Sequence, residues 1–309
     1  MLRFCLTLLA ALLHFGSVVW AGPPEIQYLN FSARDKNEIY IRDLDLDEVK
    51  LRIDEEPVPI RLLGHKNTST AFLFLMENSP RTAQYPVSMP QLGQINTIDE
   101  VKYQLASGFF WPLLEVGPVM LVHFYKDFQV LQGFTDQVYE LEDPLPRLEP
   151  NFMGIDQEHI PVARMIGRAM DRLLERPERR KILVLFTTTV DRESYKSLEE
   201  YRQLLRMSDV ELYVVTFSAR FSSTRGTSFE QTMNGYYFQN LVGETSGKLY
   251  FAEQLSYLED SLLDLRSRLT NSYTIGFNVE PASEPIEHEV QITIDRDKSE
   301  VTHRKLLIY

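Results

Sequence analysis

Thr70–Met76 reads TAFLFLM and runs straight into the polar stretch Glu77-Asn78-Ser79-Pro80-Arg81-Thr82. A continuous apolar run of strand length, without polar alternation, is what a strand buried on both faces of a parallel sheet requires. Runs of the same kind recur at Val119–Tyr125 (VMLVHFY), Ile182–Phe186 (ILVLF) and Leu212–Phe217 (LYVVTF). Gln129–Phe134 alternates, and Leu249–Ala252 makes a last short strand. Helical spacing lies between them. Thr97 and Glu100 form a capping box ahead of Val101, Leu105, Phe109, Leu113 and Leu114, and Val162, Ile166, Met170 and Leu173 share one face. Ser197 and Glu200 form a second box, ahead of Leu198, Tyr201, Leu204 and Leu205. Thr227 with Glu230 opens a helix to about Leu241, and Leu255, Leu258, Leu262, Leu265 and Leu269 repeat up to Thr270. Buried strands alternating with amphipathic helices predict an α/β fold: a doubly wound, mostly parallel sheet.

Outward from this middle the pattern turns to strands alone. Ile26–Ser32, Glu38–Arg42 and Val49–Ile53 alternate on the N-terminal side, and Tyr273–Val279, Glu289–Asp295 and Lys305–Tyr309 on the C-terminal side. These two ends are expected to close one small β module. The expected divisions are a signal peptide at 1–21, N-terminal strands at 22–66, the wound domain at 67–270 and C-terminal strands at 271–309.

The 309 residues are 44% apolar and 25% charged, which excludes disordered, collagen-like and disulfide-stapled classes. A net charge of −12 disfavours nucleic acid and anionic lipid surfaces as partners. Arg3 precedes an uncharged, Leu-rich run from Phe4 to Ala21, with small residues Val19 and Ala21 ahead of Gly22-Pro23-Pro24. That pattern predicts a signal peptide cleaved after Ala21 and a secreted or periplasmic protein. His14, Gly16 and Ser17 interrupt the run, so no membrane span is expected in the mature chain. The only cysteine, Cys5, lies in this segment, which leaves no disulfide and no thiol chemistry.

Catalytic motifs are missing. Gly243–Lys248 (GETSGK) has three residues between its glycines where a phosphate loop has four, and it reads as a turn between helix and strand. There is no G-x-S-x-G or H-E-x-x-H, and the histidines are scattered; His123, inside a buried run, reads as a hydrogen-bonded core residue. Asp43, Asp45, Asp47 and Glu48 lack the glycine turn and distal glutamate of a calcium loop, so a solvated turn is the better reading. The acidic stretch from Val138 to Glu158 and the polar loop from Arg220 to Thr227 are candidate contact surfaces for a protein partner.

FLFLMENSPRT (Phe72–Thr82) resembles the opening strand and metal loop of a von Willebrand factor A domain. VMLVHFYKDFQVLQGFTD, RRKILVLFTTTVDRES, DVELYVVTF and LVGETSGKLYFAE are similar to later strands and turns of that fold. The outer strands resemble the bacterial VWFA-related group abundant in Acidobacteria. The resemblance implies a Mg²⁺ or Mn²⁺ adhesion site at the carboxyl ends of the strands, from which this sequence departs. Glu77 stands where that family has its first Asp, Ser79 keeps the first serine, Arg81 replaces the second, and Thr188 stands where another Asp is expected; no threonine occurs near His159 or Ile160. A guanidinium among cation ligands repels the ion, so the expectation is a degenerate site without a metal or other cofactor, in which Glu77 pairs with Arg81. Glu77, Ser79, Thr188 and Asp191 are the residual candidates for an ion. Glu77, Asn78, Ser79, Arg81, Thr188, Thr189 and Asp191 are the candidates for partner binding. The function expected is an exported, noncatalytic protein-binding module, with a metal-dependent adhesin and then a hydrolase as alternatives.

Overall fold

The apolar runs fold as strands that lie side by side. The computed structural model describes residues 25–65, 69–84, 87–89, 93–95, 97–151, 160–188, 190–217, 227–252, 255–279 and 284–309. The signal-peptide segment, Thr189, His159, residues 152–158 of the acidic stretch and most of the Arg220–Thr227 loop lie outside them.

The N-terminal strands are β1 (Glu25–Arg34), β2 (Val49–Ile53), β3 (Glu56–Val58) and β4 (Ile60–His65). Then come β5 (Thr70–Glu77), α1 (Arg81–Gln84), the small hairpin of β6 (Val87–Met89) and β7 (Gly93–Ile95), α2 (Thr97–Ala106) and α3 (Trp111–Leu114). The chain continues through β8 (Val119–Phe124), β9 (Phe128–Thr135), α4 (Val138–Glu142), α5 (Val162–Leu174), β10 (Arg180–Thr187), α6 (Arg192–Lys196) and α7 (Leu198–Met207). It closes with β11 (Val210–Thr216), α8 (Thr227–Gly243), β12 (Leu249–Phe251), α9 (Leu255–Thr270), β13 (Tyr273–Val279), β14 (Glu287–Ile294), β15 (Glu300–His303) and β16 (Leu306–Ile308).

The central sheet has the order β12-β11-β10-β5-β8-β9, parallel except for the antiparallel edge strand β9. All eight residues of β5 are buried, as its unbroken apolar run requires. On one face Phe74, Val184 and Tyr213 pack with Leu105, Leu113, Leu262 and Leu265 from α2, α3 and α9. On the other, Leu73, Leu75 and Leu183 pack with Ile166, Met170, Leu205 and Phe238 from α5, α7 and α8. β5 and β10 are central and in register from Thr70↔Arg180 to Met76↔Phe186, which sets their carboxyl-end loops side by side.

The outer strands form two antiparallel sheets, β15-β1-β13-β4 and β16-β14-β2-β3. β1 pairs with β13 and β2 with β14, and Leu29, Phe31, Leu51, Ile275, Phe277 and Ile292 meet between the sheets. Strands from both ends of the chain share this core.

Four local readings differ from the sequence expectation. Residues 38–42 form no strand: the chain turns at Glu38 (φ 63°), Ile39 is exposed, and only Tyr40 bridges to Arg34. The helix expected to run from Val101 to Leu114 is divided between α2 and α3, with Gly108 between them at φ 83°, a conformation that costs glycine little. Ser197 makes no capping bond to α7; a short helix, α6, precedes it and is capped by Asp191. The C-terminal segment carries an additional strand, β15, before β16. The Gly243–Lys248 segment is a turn whose groups are used internally: Thr245 Oγ1 accepts the N–H groups of Gly247 (3.0 Å) and Leu212 (3.3 Å). The Asp43 and Glu48 carboxylates bond the Arg296 guanidinium, so that acidic run ties β2 to the end of β14.

Candidate functional site

Glu77 is the last residue of β5; Thr187 ends the neighbouring β10, and Thr188 follows it in the loop. Its carboxylate is buried and accepts four hydrogen bonds. Oε1 receives the hydroxyls of Ser79 and Thr188 (2.7 Å for the threonine), and Oε2 receives the Thr187 hydroxyl (2.7 Å) and the Thr188 backbone N–H (2.6 Å). A carboxylate has about four lone-pair positions, so this one is saturated by neutral donors.

Ser79 is a hub. Its hydroxyl donates to Glu77 and accepts the Arg81 N–H (3.2 Å), and its carbonyl accepts the Thr82 N–H and hydroxyl (3.0 and 2.7 Å). Asn78 ties the loop sideways. It donates its N–H to Phe124 O (2.9 Å) and its amide to Glu149 O (3.2 Å), and its carbonyl accepts from Asn151 N–H (2.7 Å). Two polar loops are thereby stitched to one buried acid, which explains how polar side chains are tolerated there.

Of the sequence-predicted set, Glu77, Ser79 and Thr188 come together. The expected Glu77–Arg81 ion pair is not formed: among the described residues the donors to Glu77 are hydroxyls and one amide, and Arg81 enters through its backbone N–H to Ser79. The geometric reason is that Thr187, at the end of β10, and Thr188, just beyond it, bring two threonine hydroxyls to the carboxylate before a long side chain is needed. Asp191 belongs to a different arrangement. As the N-cap of α6, its Oδ1 accepts the Ser194 N–H (3.1 Å) and hydroxyl, while Ser194 Oγ accepts the Ala163 N–H of α5 (3.0 Å). From sequence, Thr187 is only the first residue of a candidate contact loop running to Asp191, with no role of its own; the signal for its part here is the run Thr187-Thr188-Thr189 at the end of a buried strand.

The family resemblance implies a divalent cation at this convergent set. A hard dication needs about six oxygen ligands near 2.1 Å. Here one carboxylate is present, its lone pairs are taken, and the hydroxyl protons point inward at it. This donor arrangement does not fit such an ion. Among the described residues no group of three or more His, Cys, Asp or Glu side chains is placed to hold a metal.

Beside the Asp191 cap lies a cavity of about 470 Å³ between α5, α6 and α7, with Lys126, Arg164 and Glu200 among its polar lining and Pro161, Ala163 and Tyr201 among its apolar lining. Burial raises the Tyr201 phenol above its ordinary pKa, so it faces the cavity as a neutral donor. His123 on β8 borders a smaller crevice with Asn78 and Asn151. Burial lowers its pKa, and its buried Nδ1 has no hydrogen-bond partner among the described residues, in contrast to the hydrogen-bonded core histidine the sequence suggested.

No protein-family model matches the chain, and no curated protein sequence matches it. Among solved structures, the PilB minor pilin from Streptococcus sanguinis is similar with a TM-score of 0.52 at 13% identity, over 66% of this chain and 62% of that chain. A von Willebrand factor type A protein from Catenulispora acidiphila is similar over 94% of this chain and 74% of that chain, at 9% identity and a TM-score of 0.48. BatB from Bacteroides thetaiotaomicron matches 65% of this chain and 98% of its own, at 10% identity and a TM-score of 0.46. The chain spans less than two thirds of the pilin's length, and the likeness to it is one of fold: a mixed α/β unit around a mostly parallel sheet. Among the described residues no helix is long and apolar enough to cross a membrane.

Proposed function

We propose that this chain is an exported, noncatalytic protein-recognition module of the von Willebrand factor A type, related to the bacterial group named above, that engages its partner without a bound cation. The contact surface in this reading is the rim formed by the loops after β5 and β10 together with the cavity beside Asp191. The observation that carries it is the Glu77 carboxylate, which is filled by four donors from Ser79, Thr187 and Thr188. A site of this kind keeps its loops in one shape with neutral hydrogen bonds, so a partner meets a preformed surface. The neighbouring cavity adds an apolar lining with two cations and three acids at its polar side, suited to one large side chain of a protein partner. Nothing converges there as nucleophile with base, which is why binding is preferred to hydrolysis.

The test has two arms on the full chain. Calorimetric titration with Mn²⁺ and Mg²⁺ should give no micromolar binding. Cross-linking capture from envelope extract should be unchanged by chelator and lost in Tyr201→Ala and Lys126→Glu. Micromolar binding abolished by Ser79→Ala, or capture that needs the divalent ion, would establish a metal-dependent adhesin instead.

A further inference from the structure

The central sheet ends at β9: one side of this eight-residue strand pairs with β8, and no described strand pairs with the other. In an antiparallel ladder alternate residues turn their N–H and C=O away from the partner, so an edge strand keeps hydrogen-bonding groups open to another chain. Proteins commonly blunt such an edge with charged residues or proline, and FQVLQGFT has neither. Its pairing with β8 is regular over Phe128, Gln129 and Val130, then shifts register between Val130 and Gln132 and again before Thr135. Those two irregularities bend the far half of the strand, which leaves the first half as the straight open edge. Val130, within it, is 49% exposed.

Cations stand along this half. Lys126 lies in the hairpin just before β9, and Arg164 Nη2 of α5 donates to its carbonyl (3.3 Å). One helical turn further, the Arg168 guanidinium lies 5.1 Å from the centre of the Phe128 ring. Lys126, Arg164 and Arg168 are exposed, and none forms an ion pair with a described residue. The far half is different. Arg176 covers the Phe134 ring at 4.7 Å, but Glu178 neutralises it through bonds of 2.9 and 2.6 Å, and Arg172 has Glu175 at 3.7 Å. Asp127 is the one acid in the hairpin loop. In a chain of net charge −12, three unpaired cations beside an open strand reverse the sign of the surface locally.

We propose that β9 is extended by a short acidic segment of a protein partner, which pairs with Phe128–Val130 and sets its carboxylates against Lys126, Arg164 and Arg168. Backbone pairing supplies register, and the charge-assisted contacts supply selectivity. A second copy of this chain fits worse. Two β9 edges joined about a twofold axis would keep both α5 helices on one face of a continuous sheet, with like charges facing each other across the join. The register shifts also leave too little straight edge for long pairing between copies. Arg168 and Val130 are not part of the cavity lining described above, so this surface is tested separately from that one.

The probe is a fluorescein-labelled peptide of alternating Glu and Thr, eight residues long to match β9, titrated into the full chain and read by anisotropy. Binding at about 50 mM salt should weaken at least about tenfold in Arg168→Glu, stay close to wild type in Arg168→Lys, and fall as salt is raised to about 0.5 M. Only one edge of an added strand faces β9. A peptide N-methylated on one alternate set of amides should therefore lose binding, while one methylated on the other set keeps it. A peptide of alternating Lys and Thr should not bind. Equal binding of the acidic and basic peptides, indifference to Arg168→Glu, or binding that survives both methylation patterns would overturn the proposal. A dimer seen by sedimentation without peptide and abolished by Val130→Glu would assign the edge to a second copy and overturn it as well.

Discussion

Thr187 and Thr216 are cross-strand neighbours on β10 and β11, both buried, and they make one experiment between them. Thr187 donates its hydroxyl to the Glu77 carboxylate at 2.7 Å, whereas the buried Thr216 hydroxyl has no hydrogen-bond partner among the described residues. Valine replaces threonine with nearly the same shape and equal liking for a strand, so each Thr→Val change isolates one hydroxyl. A hydrogen bond to a charged group contributes about 1.5–3 kcal/mol, and removing its donor leaves a buried carboxylate with one fewer partner. Thr187→Val should therefore cost about 1.5–3 kcal/mol, or roughly 3–12 °C in melting temperature for a domain of this size. Thr216→Val removes an orphaned hydroxyl and should range from neutral to about 1 kcal/mol stabilising. Urea unfolding followed by tyrosine fluorescence and circular dichroism measures both, and the unfolding slope should stay constant. Equal effects from the two substitutions, within about 0.5 kcal/mol, would mean that Glu77 does not depend on its threonine donors, and the account of a self-satisfied site would fail.

Three further outcomes are expected. Gly247→Ala places a Cβ 1.8 Å from Leu212 O, so the turn into β12 must shift; a loss above about 3 kcal/mol is expected on thermal unfolding, and a neutral result would contradict the packing. His303 accepts the Ile292 N–H at Nε2 (3.2 Å) and meets Arg304 O at Nδ1 (2.6 Å), which requires the neutral ring, and burial lowers its pKa below 6.5. The unfolded chain then binds the proton more readily, so this contribution is present above pH 6.5 and lost as pH falls below it; melting curves from pH 8 to 5 should fall less steeply in His303→Phe. Arg180→Met strands the buried Glu211 carboxylate and should cost about 3–5 kcal/mol, and adding Glu211→Met should recover most of it; a single variant as stable as the wild type would refute the pairing.

How much of this could be read from the residues depends on how local each feature is. TAFLFLM and the other apolar runs marked central strands correctly because two-sided burial leaves its trace in every residue. The α5 and α9 stripes were visible for the same reason. Residues 38–42 alternated but have no partner strand beyond the single bridge at Tyr40, and alternation alone does not provide one. The split between α2 and α3 was signalled only by Gly108, whose backbone sign is not a matter of hydrophobic spacing. At the candidate site the first-loop residues and Thr188 could be placed from the strand ends. The identity of the donors to Glu77 could not, because hydroxyls from a neighbouring strand compete with Arg81 through register, a property of two distant segments.

The register His65↔Tyr273 joins β4, which leads into the wound sheet, to β13, which leads out of it. Departure and return are thus one strand spacing apart, roughly 5 Å. During synthesis β1 and β2 emerge first, yet their principal partners, β13 and β14, come almost last. The early strands must wait with open edges while the whole middle is made, a delay that favours late, slow closure and exposes the nascent chain to strand-swapping with its neighbours.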